Sequence, residues 1–538
     1  MSRQIAPCPL VLAHLCCMQL LAIGVQPAFT RLGCSLAVIA SLLLGGCTGL
    51  PANTDRVTSR GSNYTATTRL AIIAQVSLHG ADPLQSGLRL LPDGRQALEA
   101  RLSLAAAAES SIDAQYYQIE TDRSGLCFLA SLRAAALRGV RVRLLVDDLH
   151  ASGQDEPLLG LARAGVEVRM FNPLPVRAGS TGSRVLWSLH EFSRINRRMH
   201  NKLFIVDSAF AISGGRNIAD DYFDRGRTSS FVDLDVLSAG MAVRAMSKVF
   251  DDFWNSDASF PIQTLSSSFS ARKLLVPAAE MHHALAFPLQ DALGQSPVGV
   301  QLAEGRVALE LAATQVVADP PDRVPLAPVS TSVVRMKHLE LMYAARSDIL
   351  IASPYFLPDE EVNESLKEAI RRNVLVSVVT NSRSTTDVPL IHVCYSRHRR
   401  ALLDLGVRIF ELMPRPGALM GRPATVGLRS SLHAKVATFD GRWVSIGSMN
   451  MDARSAKINT EMTVIIDSPY LARQISELVT HGSYLSAYEV SASPVRGELQ
   501  WTFLQERVPV VLRAEPQGSW GSELRTALVS ALVSESQL

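Results

Sequence analysis

The chain has 538 residues, 47% of them hydrophobic and 19% charged, with a formal net charge of +3. That length supports two or three domains around a large buried core, and the near-neutral balance excludes the strong basic excess of a dedicated nucleic-acid binder. Of the 7 cysteines, only Cys127 and Cys394 lie beyond residue 47, and no CxxC pair or zinc-spaced Cys/His cluster occurs, so neither a disulfide scaffold nor a structural metal is expected.

The N-terminus reads as a targeting segment. Arg31 precedes an apolar run from Leu36 to Leu44, followed by Gly45, Gly46 and Cys47. A positive flank, a short apolar region and small residues match a secretory signal, and the run is too short for a comfortable membrane span. Leu44-Gly45-Gly46-Cys47 resembles the lipobox of bacterial lipoproteins, which implies acylation of Cys47 and attachment to the cell envelope; an uncleaved anchor is the other reading. The apolar stretch from Leu10 to Val25 ahead of it is accounted for if Met18 rather than Met1 is the start.

After an extension over 48–85, the body repeats itself. Leu132 to Asp148 (LRAAALRGVRVRLLVDD) has a counterpart in Leu366 to Ser382 (LKEAIRRNVLVSVVTNS). Each reads as the end of an amphipathic helix, a C-cap at Gly139 or Asn373, and a buried strand. Gly165-Val166 and Gly406-Val407 repeat that junction, and Ile112 to Tyr117 corresponds to Ile349 to Phe356. The copies are placed at 86–260 and 331–490. Between them an inter-repeat segment, 261–330, is punctuated by Ser266-Ser267-Ser268 and Asp319-Pro320-Pro321-Asp322; its apolar content suggests packing on the repeats. A tail, 491–538, ends in an amphipathic stretch from Leu524 to Leu532. Helices alternating with strands predict an α/β layered fold with a parallel or mixed sheet.

Inside each copy sits one constellation: His200, Lys202, Asp207 and Gly214-Gly215-Arg216-Asn217 in the first, His433, Lys435, Asp440 and Gly447-Ser448-Met449-Asn450 in the second. The apolar residues after each lysine predict a strand, a turn at the aspartate and a second strand. On such a strand His and Lys two apart share a face. Two His, two Lys and two Asn around one centre make a phosphoryl-transfer inventory: ammonium groups for non-bridging oxygens, one imidazole as nucleophile and one as acid and base.

These residues resemble the HxKxxxxD, G-[GS]-x-N motif of the phospholipase D superfamily, over both copies. The resemblance implies two pseudo-symmetric α-β-α sandwich repeats sharing one active site, with a downstream carboxylate orienting each imidazole. The matching positions are Asp233, with Asp235 as its rival, and Glu461. It implies a catalytic set of His200, Lys202, Asp207, His433, Lys435 and Asp440, the two aspartates being more structural than chemical, with Asn217 and Asn450 as phosphate-binding groups. Within the superfamily the chain is similar to bacterial cardiolipin synthases of the C type, through Ile195 to Lys202, Gly214 to Ile218, Leu144 to Asp148, Ser353 to Pro358, Thr380 to Ser382 and Ser431 to Lys435. In the tail, Trp501 is followed by Thr502-Phe503, where that family has an acidic and basic pair. The resemblance implies cardiolipin synthesis through a phosphohistidine, with no metal or cofactor. Phospholipid substrates and a membrane surface are the expected partners, and nucleic acid is not expected. Hydrolytic phospholipase D activity is the main alternative, ahead of a nuclease-type phosphodiesterase and a non-enzymatic envelope binding protein. The sequence leaves open the donor lipid and any helper protein.

Overall fold

The computed structural model describes residues 49–54, 56–61, 66–226, 229–266, 289–323, 331–414, 429–480, 487–493, 497–505 and 508–516. Cys47 and the stretch from Leu524 to Leu532 lie outside these residues. The predicted helix-to-strand junctions form as the sequence suggests. Helix Arg123–Leu137 is capped by Asp122, which accepts from the Gly125 amide, and it ends at Gly139 with φ +93°. Helix Glu360–Arg371 is capped by Asp359 and ends at Asn373 with φ +63°, a left-handed conformation that Gly and Asn tolerate.

Nine strands form the first half: β1 (Gln85–Leu91), β2 (Ser111–Tyr116), β3 (Arg141–Asp147), β4 (Glu167–Phe171), β5 (Leu203–Val206), β6 (Phe210–Gly214), β7 (Ser229–Val232), β8 (Asp235–Gly240) and β9 (Ser259–Pro261). The others are β10 (Glu310–Ala318), β11 (Asp348–Ala352), β12 (Leu375–Asn381), β13 (Arg408–Leu412), β14 (Arg429–Leu432), β15 (Val436–Phe439), β16 (Trp443–Gly447), β17 (Met462–Asp467), β18 (Ala487–Ala492), β19 (Leu499–Gln505) and β20 (Val508–Leu512). All except β7 and β14 belong to one sheet. Following the pairings, its order is β9-β4-β3-β2-β5-β6-β8-β1 in the first half, then β10-β17-β16-β15-β11-β12-β13-β18 in the second. The halves match strand for strand about the β1–β10 seam. In each, three neighbouring strands are parallel (β2, β3, β4 and β11, β12, β13) and the remaining pairings are antiparallel.

The seam revises the expected layout. Strand β10 falls inside the 261–330 segment, yet it pairs antiparallel with both β1 and β17. It is the counterpart of β1, so the second half of the sheet begins at Glu310 rather than at 331. The tail contributes as well, because β19 and β20 add to the β18 edge as a hairpin. Three apolar layers enclose the sheet. An outer core lies under helices Arg69–Ser77, Gly94–Ala107 and Arg123–Leu137. A second outer core lies under helices Val333–Ala344, Glu360–Arg371 and Pro389–Leu405. The third joins both halves, with Met246 and Phe250 of helix Met241–Trp254 beside Leu471 and Ile475 of helix Pro469–Thr480. This gives the expected α-β-α sandwich twice, with one shared inner layer. Among the described residues, no helix is long and apolar enough to cross a membrane.

The motif aspartates sit in the β5–β6 and β15–β16 turns, at φ +51° and +56°. Asp207 accepts from the amides of Glu109, Ser110 and Ser111 at 3.0, 2.8 and 2.9 Å. Asp440 accepts from Arg346 and Ser347, both at 2.7 Å. Each therefore ties its hairpin to the start of the neighbouring parallel strand. They lie at the far end of β5 and β15 from the histidines, roughly 20 Å away at about 3.3 Å per residue. Replacing Asp207 by Ala is expected to cost about 3 kcal/mol through the lost charge-assisted bonds and the positive φ, read as a lower thermal midpoint. Asp207→Asn, which keeps an acceptor and tolerates that φ, is expected to recover most of the loss. Activity per folded molecule should change little in either; a large loss in a fully folded variant would return Asp207 to the reacting set.

Candidate active site

The residue before each histidine is pinned from its own half. Asp147, at the end of β3, accepts from the Met199 amide at 2.9 Å and from Arg198 Nε at 2.8 Å. Asn381, at the end of β12, grips Leu432 by both backbone groups: the Leu432 N–H donates to Oδ1 at 2.8 Å and Nδ2 donates to the Leu432 carbonyl at 2.9 Å. The repeat aligned the segments carrying Asp147 and Asn381, but their grip on the motif was not foreseen.

From there each motif crosses to the other half. The His200 amide donates to the Thr460 carbonyl at 3.0 Å, and the Thr460 amide donates to Arg198 at 2.9 Å. Symmetrically, β14 runs parallel to β7, with Leu432 opposite Val232, and the His433 amide donates to the Val232 carbonyl at 2.8 Å. The His-x-Lys triplets were expected on a strand. They lie instead in extended chain just ahead of β5 and β15, where the amides of both histidines are engaged by the opposite half. Thr460 and Val232 immediately precede Glu461 and Asp233, so the carboxylates meet the histidines crosswise. His200 Nδ1 is 3.0 Å from Glu461 Oε2, and His433 Nδ1 is 2.7 Å from Asp233 Oδ2. Asp235 is excluded as the partner, because it pairs with Arg101 at 2.9 Å and Arg216 at 3.4 Å.

The two histidines, the two carboxylates, Lys202 and Lys435 are all buried, the histidines 8% and 6% exposed and both carboxylates 0%. With each Nδ1 facing its carboxylate, Nε2 is the ring nitrogen turned away from it; at His433 that nitrogen lies 3.1 Å from Lys435 Nζ and 3.5 Å from the Tyr222 hydroxyl. Lys202 and Lys435 fold back to donate to the carbonyls of His200 and His433, so the two ammonium groups flank the imidazoles. Tyr117 meets His200 and Tyr222 meets His433 in T-shaped contacts, each with centroids 5.0 Å apart. Tyr222 carried no repeat signal and was missed. Asn217 donates to the Tyr222 hydroxyl at 2.9 Å. The side-chain oxygens of Asn217 and Asn450 are buried with no protein partner among the described residues.

The two carboxylates differ. Glu461 accepts from the hydroxyls of Ser448 and Ser455, and its backbone amide and carbonyl are both engaged by Asp319, at 3.0 and 2.9 Å. Asp319 follows β10 and was read from sequence only as turn punctuation. Asp233 instead packs against Gly215, where an added Cβ would lie 2.2 Å from Oδ1; the Gly and Ser of the two motifs are therefore not interchangeable. Burial opposes ionisation of Asp233, but contact with His433, then Lys435 and Arg216, holds its carboxyl down at about 2. Burial dominates at Glu461, and with Lys202, Ser448 and Ser455 only partly offsetting it the carboxyl rises to about 7. Burial and then Lys202 and Lys435 push His200 well below its ordinary value. Burial and then Lys435 lower His433, with Asp233 opposing. Burial also brings Lys202 down to about 7 and Lys435 to about 8. The cluster is short of negative charge, and an anion between the lysines would relieve it. Among the described residues, no group of three or more His, Cys, Asp or Glu has the arrangement to hold a metal ion.

Residues 102–254 and 339–481 match the family model described as "Cardiolipin synthase, PLD-like domain". The chain is 34% identical over 469 residues to "Cardiolipin synthase C" of Escherichia coli (strain K12), covering 86% of this chain and 98% of that protein. It is 26% identical over 419 residues to "Cardiolipin synthase" of Geobacillus kaustophilus (strain HTA426), covering 77% of this chain and 70% of the relative. In fold it is similar to the crystal structure of phosphatidylserine synthase from Haemophilus influenzae Rd KW20, with a TM-score of 0.52 at 12% identity over 77% of this chain and 91% of that one. With two intact motifs meeting at one centre and a match across both halves, the chain belongs to the phospholipase D-like cardiolipin synthase family.

Proposed function

We propose that this protein is a phosphatidyltransferase that makes cardiolipin, and that His200 and His433 divide the chemistry. His200 Nε2 attacks phosphorus of the donor phospholipid; an N–P bond forms and the bond to the headgroup oxygen breaks. His433 gives that oxygen its proton, and the alcohol leaves. The glycerol hydroxyl of phosphatidylglycerol then returns a proton to His433, its oxygen bonds to phosphorus, and the P–N bond breaks. The crosswise pairing of His200 with Glu461 and His433 with Asp233 carries this reading. Asp233 is an ionised partner that favours imidazolium at His433, the acid. Glu461, raised toward neutrality, leaves His200 as a neutral nucleophile. Lys202 and Lys435 stabilise the charge developing on the non-bridging oxygens, with the amide N–H groups of Asn217 and Asn450 as further donors. The chain is held at the envelope through acylated Cys47; two or more acyl chains give firm anchoring where one is marginal.

Replacing His200 or His433 by Ala is expected to abolish cardiolipin formation from phosphatidylglycerol in folded protein, since loss of acid–base help alone costs on the order of a hundredfold or more. More than about a tenth of the activity would end the two-histidine scheme. Lipid mass spectrometry separates transfer from hydrolysis, because water as acceptor gives phosphatidic acid instead. Activity is expected to survive a chelator; complete loss, restored by a divalent ion, would contradict the scheme.

The roles also fix a pH effect. In Asp233→Asn the anion that opposes the fall of the His433 pKa is gone, so the imidazolium is lost at lower pH. The alkaline limb of kcat is expected to move acidward by on the order of one pH unit, with kcat down about a hundredfold. An unmoved limb would take His433 out of the acid role.

For the anchor, mass measurement of the mature N-terminus is expected to find a lipid on Cys47, and Cys47→Ser to reduce membrane retention. An unmodified N-terminus would instead favour an uncleaved anchor and leave the chemistry untouched.

A further inference from the structure

The segment leading into His200 is built inside out. Helix Thr181–Trp187, the turn Leu189–Glu191 and helix Phe192–Ile195 follow one another without a break in direction of the sequence. Their exposed side carries Leu186, Trp187, Leu189 and Phe192, at 62, 51, 48 and 48% exposure. Leu186, Leu189 and Phe192 recur every third residue, which keeps them on one side of a helical path. The side turned inward holds Arg184 and Ser188, both at 0%, with Ile195 at 3%. Folding normally buries the large apolar groups and leaves the guanidinium in water; an exposed large apolar patch and a buried cation are the informative exceptions.

This inversion is held firmly. Arg184 Nη2 donates to Asp148 Oδ2 at 2.6 Å and its Nε to the Val176 carbonyl at 3.0 Å. Arg177 pairs with both Asp148 and Asp155. Asn172 Nδ2 donates to the carbonyls of Arg194 and Arg197 at 3.0 and 2.7 Å. A buried ion pair is weak evidence for stability but fixes geometry, and here it fixes four large apolar side chains outward. The position is informative too. Asp148 and Asn172 directly follow the ends of parallel strands β3 and β4, Tyr117 follows β2, and His200 comes five residues after Ile195, so the patch stands at the active-site end of the sheet. The stretch 177–198 carries five arginines against one carboxylate, Glu191; Arg194 and Arg197 are partly exposed beside the patch.

We propose that residues 181–195 are a bilayer-docking platform, in which Leu186, Trp187, Leu189 and Phe192 enter the interfacial region of an anionic phospholipid membrane and present its lipids to His200. This rests on the phosphatidyl-transfer reading and names the surface that reading requires. A substrate whose acyl chains stay in the bilayer reaches a buried imidazole only if the mouth of the site is pressed to the membrane. Trp, with an apolar body and a polar N–H, is suited to that depth, and apolar side chains flanked by basic ones describe an interfacial element. A partner protein or a second copy would also cover an apolar patch, and the experiment distinguishes them.

The full chain is mixed with vesicles of phosphatidylglycerol and phosphatidylethanolamine, with or without bromine on the acyl chains. The brominated vesicles are expected to quench tryptophan emission, and Trp187→Phe to remove most of that quenching; equal quenching in the variant overturns the proposal. The triple variant Leu186→Ser, Leu189→Ser, Phe192→Ser is expected to need about tenfold or more vesicle lipid for half-maximal rate, while its rate on dispersed short-chain phosphatidylglycerol stays within about twofold of the parent. An unchanged vesicle requirement overturns the proposal, as does a triple variant that differs only by a lower molar mass in light scattering, which assigns the patch to contact between copies. If the parent forms no cardiolipin from either substrate, the transfer reading fails, and the quenching experiment still decides the platform.

Discussion

Two buried carboxylate–imidazole pairs, each with one member from either half of the chain, are the constraint on which the rest depends. His200 without Glu461, or His433 without Asp233, is an imidazole in an apolar layer with no fixed tautomer or orientation. Because the partner lies across the interface, neither half holds a complete site. The backbone is organised to enforce the crossing: β14 runs parallel to β7, and Met199 pairs with Thr460 in the same sense. Asp147 and Asn381 tether the residues just upstream to their own sheets, and β10 joins the sheets into one. With edges and inner layer shared, a relative rotation of the halves would break a ladder as well as a core.

That arrangement creates an electrostatic problem whose solution is the chemistry. Two lysines and two histidines share a buried volume with two carboxylates, and burying charge costs more than pairing returns unless geometry and partners are complete. The protein does not complete them. One carboxylate stays ionised beside His433, the other is driven toward neutrality, and both lysines are pushed down toward the physiological range. On the proposed reading a phosphodiester anion supplies what is missing: the unfavourable charge balance then favours binding, and the donors are in place before charge moves to the non-bridging oxygens.

The near two-fold symmetry is broken around the two carboxylates. Gly215 leaves room for a short carboxylate against the backbone, whereas Ser448 donates to a longer one. The first half carries, ahead of His200, a helical segment with its apolar side facing out. The two halves thus supply equivalent imidazoles in unequal surroundings, the difference on which the proposed division into acid and nucleophile rests.

Much of this was legible in the chain alone. The 233-residue offset of His200, Lys202, Asp207 and Asn217 to His433, Lys435, Asp440 and Asn450 marked the repeat and its hairpins, and the match of Leu132–Asp148 to Leu366–Ser382 marked the glycine and asparagine helix ends, because turn chemistry and strand alternation are local and survive in a linear pattern. The candidates Asp233 and Glu461 came from motif resemblance, with Asp235 left as a rival. Their crosswise assignment, the grip of Asp147 and Asn381, the place of Asp319 behind Glu461 and of Tyr222 beside His433, and the role of β10 as a second first strand were decided only in three dimensions. Those contacts join residues up to 261 positions apart, and no periodicity encodes which of two equivalent partners a side chain meets. The local sequence determined what each half looks like; the packing of one half on the other determined which imidazole meets which carboxylate, and with it the charge each carries.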